Sequence, residues 1–170
     1  MMKILGIDPG TGICGFGVVE ITKLNKPIAR DFGVVATPPH TPLPDRLEDI
    51  YNSMHEIVKE NRPDLISIEK LFFTKNITTG ISVAEARGIC LLVAKQHGLP
   101  IYEYTPNEIK KTLTGYGSAG KKQMQEMVRV QLGLKTAPKP DDAADALAAA
   151  ITHLFSSRAD LLAPSSHRLN

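Results

Sequence analysis

Apolar positions along the chain change period several times, and each change predicts an element. Residues 3 to 8, "KILGID", form a short apolar run that reads as a buried strand. Residues 15 to 21 and 28 to 36 are rich in Val, Phe and Ile with glycines at the turns, and predict two more strands. Over residues 44 to 60 the spacing lengthens, and Leu47, Ile50, Tyr51, Met54, Ile57 and Val58 recur at helical intervals. "PDLISIEKLF" predicts a fourth strand ending near Glu69, and residues 80 to 97 a long helix closed by Gly98 and Pro100. "PIYEY" is a fifth strand, followed by short helices near 106 to 113 and 121 to 132 and a last helix from near Asp141 to about Ser156. Three strands in succession predict an antiparallel meander. Strands that each follow a helix predict parallel additions. The expected class is α/β: a mixed five-stranded sheet with helices on both faces.

Length fits one domain, assigned to residues 1–157, with a tail at 158–170 to which no role is assigned. No segment is long and apolar enough to span a membrane, and the N-terminus lacks a signal-peptide pattern. Cys14 and Cys90 form no C-x-x-C or Cys/His cluster, which fits a reduced, cytoplasmic setting. The net charge of +2 hides an asymmetry. Between Pro106 and Pro140, seven lysines and arginines face two glutamates, a local excess of five positive charges. Such a stripe suits a phosphate backbone, and equally a solvated helix face.

Gly10-Thr11-Gly12-Ile13-Cys14-Gly15 spells G-x-G-x-x-G. A dinucleotide site needs a helix to begin there, so that its N-terminus receives the pyrophosphate. The residues that follow, "FGVVEI", make a poor helix and a good strand. Asp31 stands where the fingerprint asks for an acid, but it does not supply the missing helix. What remains is Asp8 at the end of a buried strand, kept extended by Pro9 and followed by a glycine-rich turn.

Glu69 emerges likewise at the end of "LISIE". The last helix opens "PDDAADALAAAITH", where Asp142 and Asp145 share a face at i, i+3, and Asp141 and Asp145 at i, i+4. Spacing does not choose between them. Asp141 follows Pro140 and is placed to cap the helix. Acids at a helix start also complement its dipole. If Asp8, Glu69, Asp142 and Asp145 converge, their repulsion calls for divalent cations, and hard oxygen ligands favour Mg²⁺ or Mn²⁺. Two such ions suit in-line phosphoryl displacement. His153 lies too far along the helix to share a metal, roughly 16 Å from Asp142 and 12 Å from Asp145 at the α-helical rise. It reads as structural. His40, His55, His97 and His167 show no partner pattern.

These residues bring a family into view. "ILGIDPGT", "SIEKLFF.KN", "ARG", "K.T..G.GSA.K.Q" and "DAADALA.AITH" resemble the RuvC-type Holliday-junction resolvases, on the RNase H-like fold, from about Lys3 to His153. The resemblance implies a homodimer that nicks two opposed strands of a four-way DNA junction, leaving 5′-phosphate and 3′-hydroxyl ends. It implies two Mg²⁺ per subunit, with Mn²⁺ as a substitute, on Asp8, Glu69, Asp142 and Asp145, and a branch-migration helicase as partner. Phe72 matches an aromatic that stacks on an unpaired base, core packing being the alternative. Lys110 and Lys121 match DNA-contacting lysines, and Lys75, Lys111, Lys122 and Arg87 are further candidates for the DNA backbone. Gly80, Ala84 and Gly88 form a small-residue strip suited to a dimer contact or to packing on the sheet.

Other classes compete. An actin-type or sugar-kinase ATPase needs a second lobe, for which the chain has no room. A non-catalytic junction binder would not need four acids. An RNase H-like nuclease acting on RNA is separated by comparing RNA with DNA junctions.

Overall fold

β1 (Lys3–Asp8), β2 (Ile13–Ile21) and β3 (Pro27–Ala36) form the expected antiparallel meander. β4 (Leu65–Glu69) runs parallel to β1 on its other side, and β5 (Ile101–Tyr104) continues parallel to β4. The computed structural model describes residues 1–71, 77–160 and 168–169, with the side chains of 77–79, 158–160 and 168–169 left aside. The sheet order is β3-β2-β1-β4-β5-β6. The two-residue β6 (Arg168–Leu169) pairs antiparallel with β5, so part of the tail adds an edge to the five expected strands.

Among the described residues five helices cover the sheet: α1 (Leu43–Asn61), α2 (Ile77–Gln96), α3 (Pro106–Thr114), α4 (Lys121–Leu132) and α5 (Asp141–Asp160). Strand alternation decides what each face receives. Leu5, Ile7, Val18, Ile66 and Ile68 pack with α1 and α2. Ile4, Val19 and Leu65 pack with α3, α4 and α5. α2 turns Ala86, Cys90, Val93 and Ala94 inward. Gly80 and Ala84 are half-buried and Gly88 is exposed, with open space where a side chain on Gly88 would go, so at Gly88 this strip faces away from the sheet.

α5 lies closest to the strands. Its alanines from Ala143 to Ala150 are buried, and a Cβ on Gly6 would collide with the carbonyl of Ala146. Ser67 Oγ donates to Ala149 O at 2.7 Å and ties β4 to the same helix. Small residues on both partners therefore seat the helix almost on the backbone of the sheet, and this fixes the site.

Candidate active site

Asp8 and Glu69 reach one edge of the sheet because β1 and β4 are parallel and in register, Ile7 facing Ile68 one residue before each acid. Across the other side of β1, Asp8 faces Gly15 of β2. A Cβ on Gly15 would strike the carbonyl of Asp142. That glycine thus gives way to the start of α5, which brings Asp142 and, three residues on, Asp145 over the ends of the strands. The G-x-G-x-x-G stretch is a turn and a helix seat.

Electrostatics records the convergence. Burial pushes the Asp8 carboxyl up to about 8, and Glu69, Asp145 and Asp142 add to the shift. Glu69 is pushed up to about 7, by burial and then by Asp145, with Lys110 opposing. Asp145 is raised by burial first, then opposed by Lys121 and Lys110 and raised further by Asp142 and Asp141. Four acids from three elements therefore feel one another, and the two expected lysines are the nearby cations.

A cleft of about 200 Å³ is lined by Glu69, Lys110, Lys121 and Asp145 over Ile109 and Met124. A second, of about 150 Å³, holds Asp8, Glu69 and Lys70 against Leu71 and Val83. Both include Glu69 and Pro106, so together they run past Asp8, Glu69 and Asp145, while Asp142 lines neither. Lys110 is presented by α3, whose start is fixed by a capping box between Thr105 and Glu108. Among the described residues no three His, Cys, Asp or Glu side chains close into a ready coordination cage. Uncompensated carboxylates repel, so an open arrangement suits them. The donor set is all oxygen and fits Mg²⁺ or Mn²⁺.

Other expectations fared differently. Asp141 is not the cap of α5: Pro140 O accepts from Ala143 N–H at 3.1 Å, which puts Pro140 at the cap and Asp141 in the first turn. Asp141 accepts from Gln125 Nε2 at 2.7 Å and pairs with Lys121 at 3.8 Å. Lys122 is exposed at the start of α4 and lines neither cleft. Phe72 and Lys75 lie outside the described residues. Arg87, a candidate for the DNA backbone, is committed inside the protein: it pairs with Glu103, and its Nε donates to the carbonyl of Glu69 at 3.3 Å. Glu103 also meets Lys70 at 3.5 Å. Lys70 was missed as a cleft residue, although it directly follows Glu69 in sequence.

His153 is buried, its Nδ1 2.9 Å from Tyr104 Oη, in the structural role expected. His55 and His97 do have partners: Nδ1 of one is 2.9 Å from Nε2 of the other, between α1 and α2. Cys14 and Cys90 are buried free thiols with sulfurs 4.0 Å apart.

The family model described as crossover junction endodeoxyribonuclease RuvC matches residues 4–153. A Desulfitobacterium hafniense protein named crossover junction endodeoxyribonuclease RuvC is 52% identical over 155 residues, 91% of this chain and 93% of its own. The structure of Thermus thermophilus RuvC matches with a TM-score of 0.87 at 36% identity, over 99% of this chain and 100% of that one. The same Thermus protein in complex with Holliday junction substrate matches with a TM-score of 0.87 at 34% identity, over the same shares. The expected RNase H-like fold stands on this likeness.

Proposed function

This chain belongs to the RuvC family of crossover junction endodeoxyribonucleases, and from that membership we propose that it resolves four-way DNA junctions by paired symmetric nicks. The observation that carries the chemistry is the convergence of Asp8, Glu69, Asp142 and Asp145, with burial and mutual repulsion raising three of them. These four acids would hold two Mg²⁺ ions, with Mn²⁺ as a substitute. Bound there, such ions would make a water a better nucleophile and stabilise the charge developing on the phosphate oxygens; addition of that water to phosphorus with loss of the 3′ oxygen would leave 5′-phosphate and 3′-hydroxyl ends. Lys110 and Lys121 stand beside Glu69 and Asp145 and would meet phosphates of the cut strand. Phe72 would stack on an unpaired base, and Lys75 and Lys122 would contact the DNA backbone.

Two nicks placed symmetrically call for two sites related by a two-fold axis. The outer face of α2 supports a second copy as the partner. Ile81 is 53% and Leu92 48% exposed, beside exposed Gly88 and half-buried Ala84. A branch-migration helicase would act on the same junction in recombination and repair in the cytoplasm. No helix among the described residues is long and apolar enough to cross a membrane. The test is a synthetic four-way junction with Mg²⁺, read on a denaturing gel. Wild type should give paired nicks, while Asp8→Asn should bind the junction and leave it uncut. Normal Mg²⁺-dependent cleavage by Asp8→Asn would remove the carboxylate assignment.

A further inference from the structure

Arg30, Arg87 and Arg129 are each paired with a glutamate. Arg46 is held differently. It sits in the first turn of α1, half-buried, and its Nε donates to Thr37 Oγ1 at 2.7 Å. Thr37 is itself buried: its hydroxyl donates to Thr11 O at 2.6 Å and its N–H to Gly12 O at 3.0 Å. One terminal nitrogen of Arg46 lies 3.2 Å from the place a Cβ on Gly12 would take. The guanidinium is thus fixed against the turn that leads out of Asp8. Its terminal amino groups have no hydrogen-bond or carboxylate partner among the described residues.

Its place in the fold gives this a use. Lys110 and Lys121 belong to the helices on the α5 face of the sheet, while α1 lies on the opposite face. The ends of β1 and β4, with Asp8 and Glu69, lie between. Asp45, Glu48 and Asp49 are exposed on α1 and repel anions from its solvent side. Those acids leave the side of the turn, which leads back through Gly12 toward Asp8, as the approach to Arg46 they oppose least. A guanidinium with an oriented pair of free donors matches two oxygens of a phosphate, and orienting it beforehand lowers the cost of binding.

We propose that Arg46 binds a backbone phosphate of the DNA strand lying over the four carboxylates, on the side opposite Lys110 and Lys121. The proposal rests on the junction-nuclease reading. A strand gripped on one side only could swing away from the site; gripped on both, it is held across it.

The test is the salt dependence of binding, measured by fluorescence anisotropy with a labelled four-way junction and a labelled linear duplex of the same arms. Asp8→Asn serves as the uncut parent. Each phosphate contact contributes about 0.9 to the slope of log K against log salt. Adding Arg46→Gln should lower that slope by about one and weaken binding about tenfold or more. Arg46→Lys should keep the slope. Thr37→Val, which keeps the charge and removes its anchor, should weaken binding with the slope unchanged. An unaltered slope in a folded protein carrying Arg46→Gln overturns the proposal. A parent that binds junction no better than duplex overturns the junction reading instead, and the slopes on duplex then still decide for or against Arg46.

Discussion

Asp8→Asn should make the metal-free protein more stable while abolishing its chemistry. Burial and three neighbouring acids push the Asp8 carboxyl from 3.8 up to about 8. A carboxyl raised in the fold binds its proton more tightly there than in the unfolded chain. Its ionisation therefore costs stability, and the cost grows as pH rises from the unfolded value toward the folded one. At about 1.36 kcal/mol per pKa unit, the cost reaches ~4 kcal/mol near pH 7 and falls to ~2 kcal/mol near pH 5. That is a ceiling, because burial is the largest cause and an Asn amide also costs energy to bury. The expected gain for Asp8→Asn is about 1–3 kcal/mol near pH 7, less than half of that near pH 5. For a chain of this length it corresponds to a rise in Tm of about 3–10 °C. Thermal melts in EDTA at the two pH values give the measurement. Adding Mg²⁺ should then raise the Tm of wild type and leave the variant's unchanged. An Asn variant no more stable than wild type near pH 7 without metal, or a gain that does not shrink on acidification, would refute the argument.

Three further outcomes separate neighbouring roles. Asp141→Asn should cut junctions at close to the wild-type rate, because Asp141 is occupied by Lys121 and Gln125; gel assays showing it dead and Asp142→Asn active would reverse the choice between them. Arg87→Gln should cost about 1–3 kcal/mol in denaturant unfolding, since it takes the guanidinium from Glu103, leaving that carboxylate only the exposed Lys70, and should leave the salt slope of DNA binding unchanged; a reduced slope would return Arg87 to the DNA surface. Gly88→Arg has open space around it and replaces a weak helix former, so the subunit should be no less stable, yet it should sediment as a folded monomer that cuts singly or not at all; a dimer that still makes paired nicks would move the interface off α2.

What was legible in the sequence was local. A strand ending in an acid, as in "LGID" and "LISIE", shows itself through a buried run that stops at a charge. The start of α5 shows itself through two carboxylates on one helical face. Elements separated by sequence but joined by packing did not show. His55 and His97 lie 42 residues apart and Cys14 and Cys90 76 apart, and each pair meets only because α2 packs on α1 and on β2. Arg87 read as a free cation because its partner, Glu103, comes from the next strand. Gly15 carried the least visible role. Its glycine signals a turn to any local reading, but its lack of a side chain is used by α5, which begins 126 residues later in the chain with Asp141.

The cost of the site and its geometry have one source. Four carboxylates do not gather spontaneously, and here their repulsion is overcome by contacts made elsewhere on the same helix. The buried alanines of α5 press onto Gly6, Leu147 packs over Gly17, and Ser67 holds Ala149. Because the apolar body of the helix supplies that force, its charged end can be held where it is least stable on its own. This is the condition in which a divalent cation gains most by binding, since it relieves repulsion that the fold has already imposed. A site assembled by attraction among its own residues would offer the cation less.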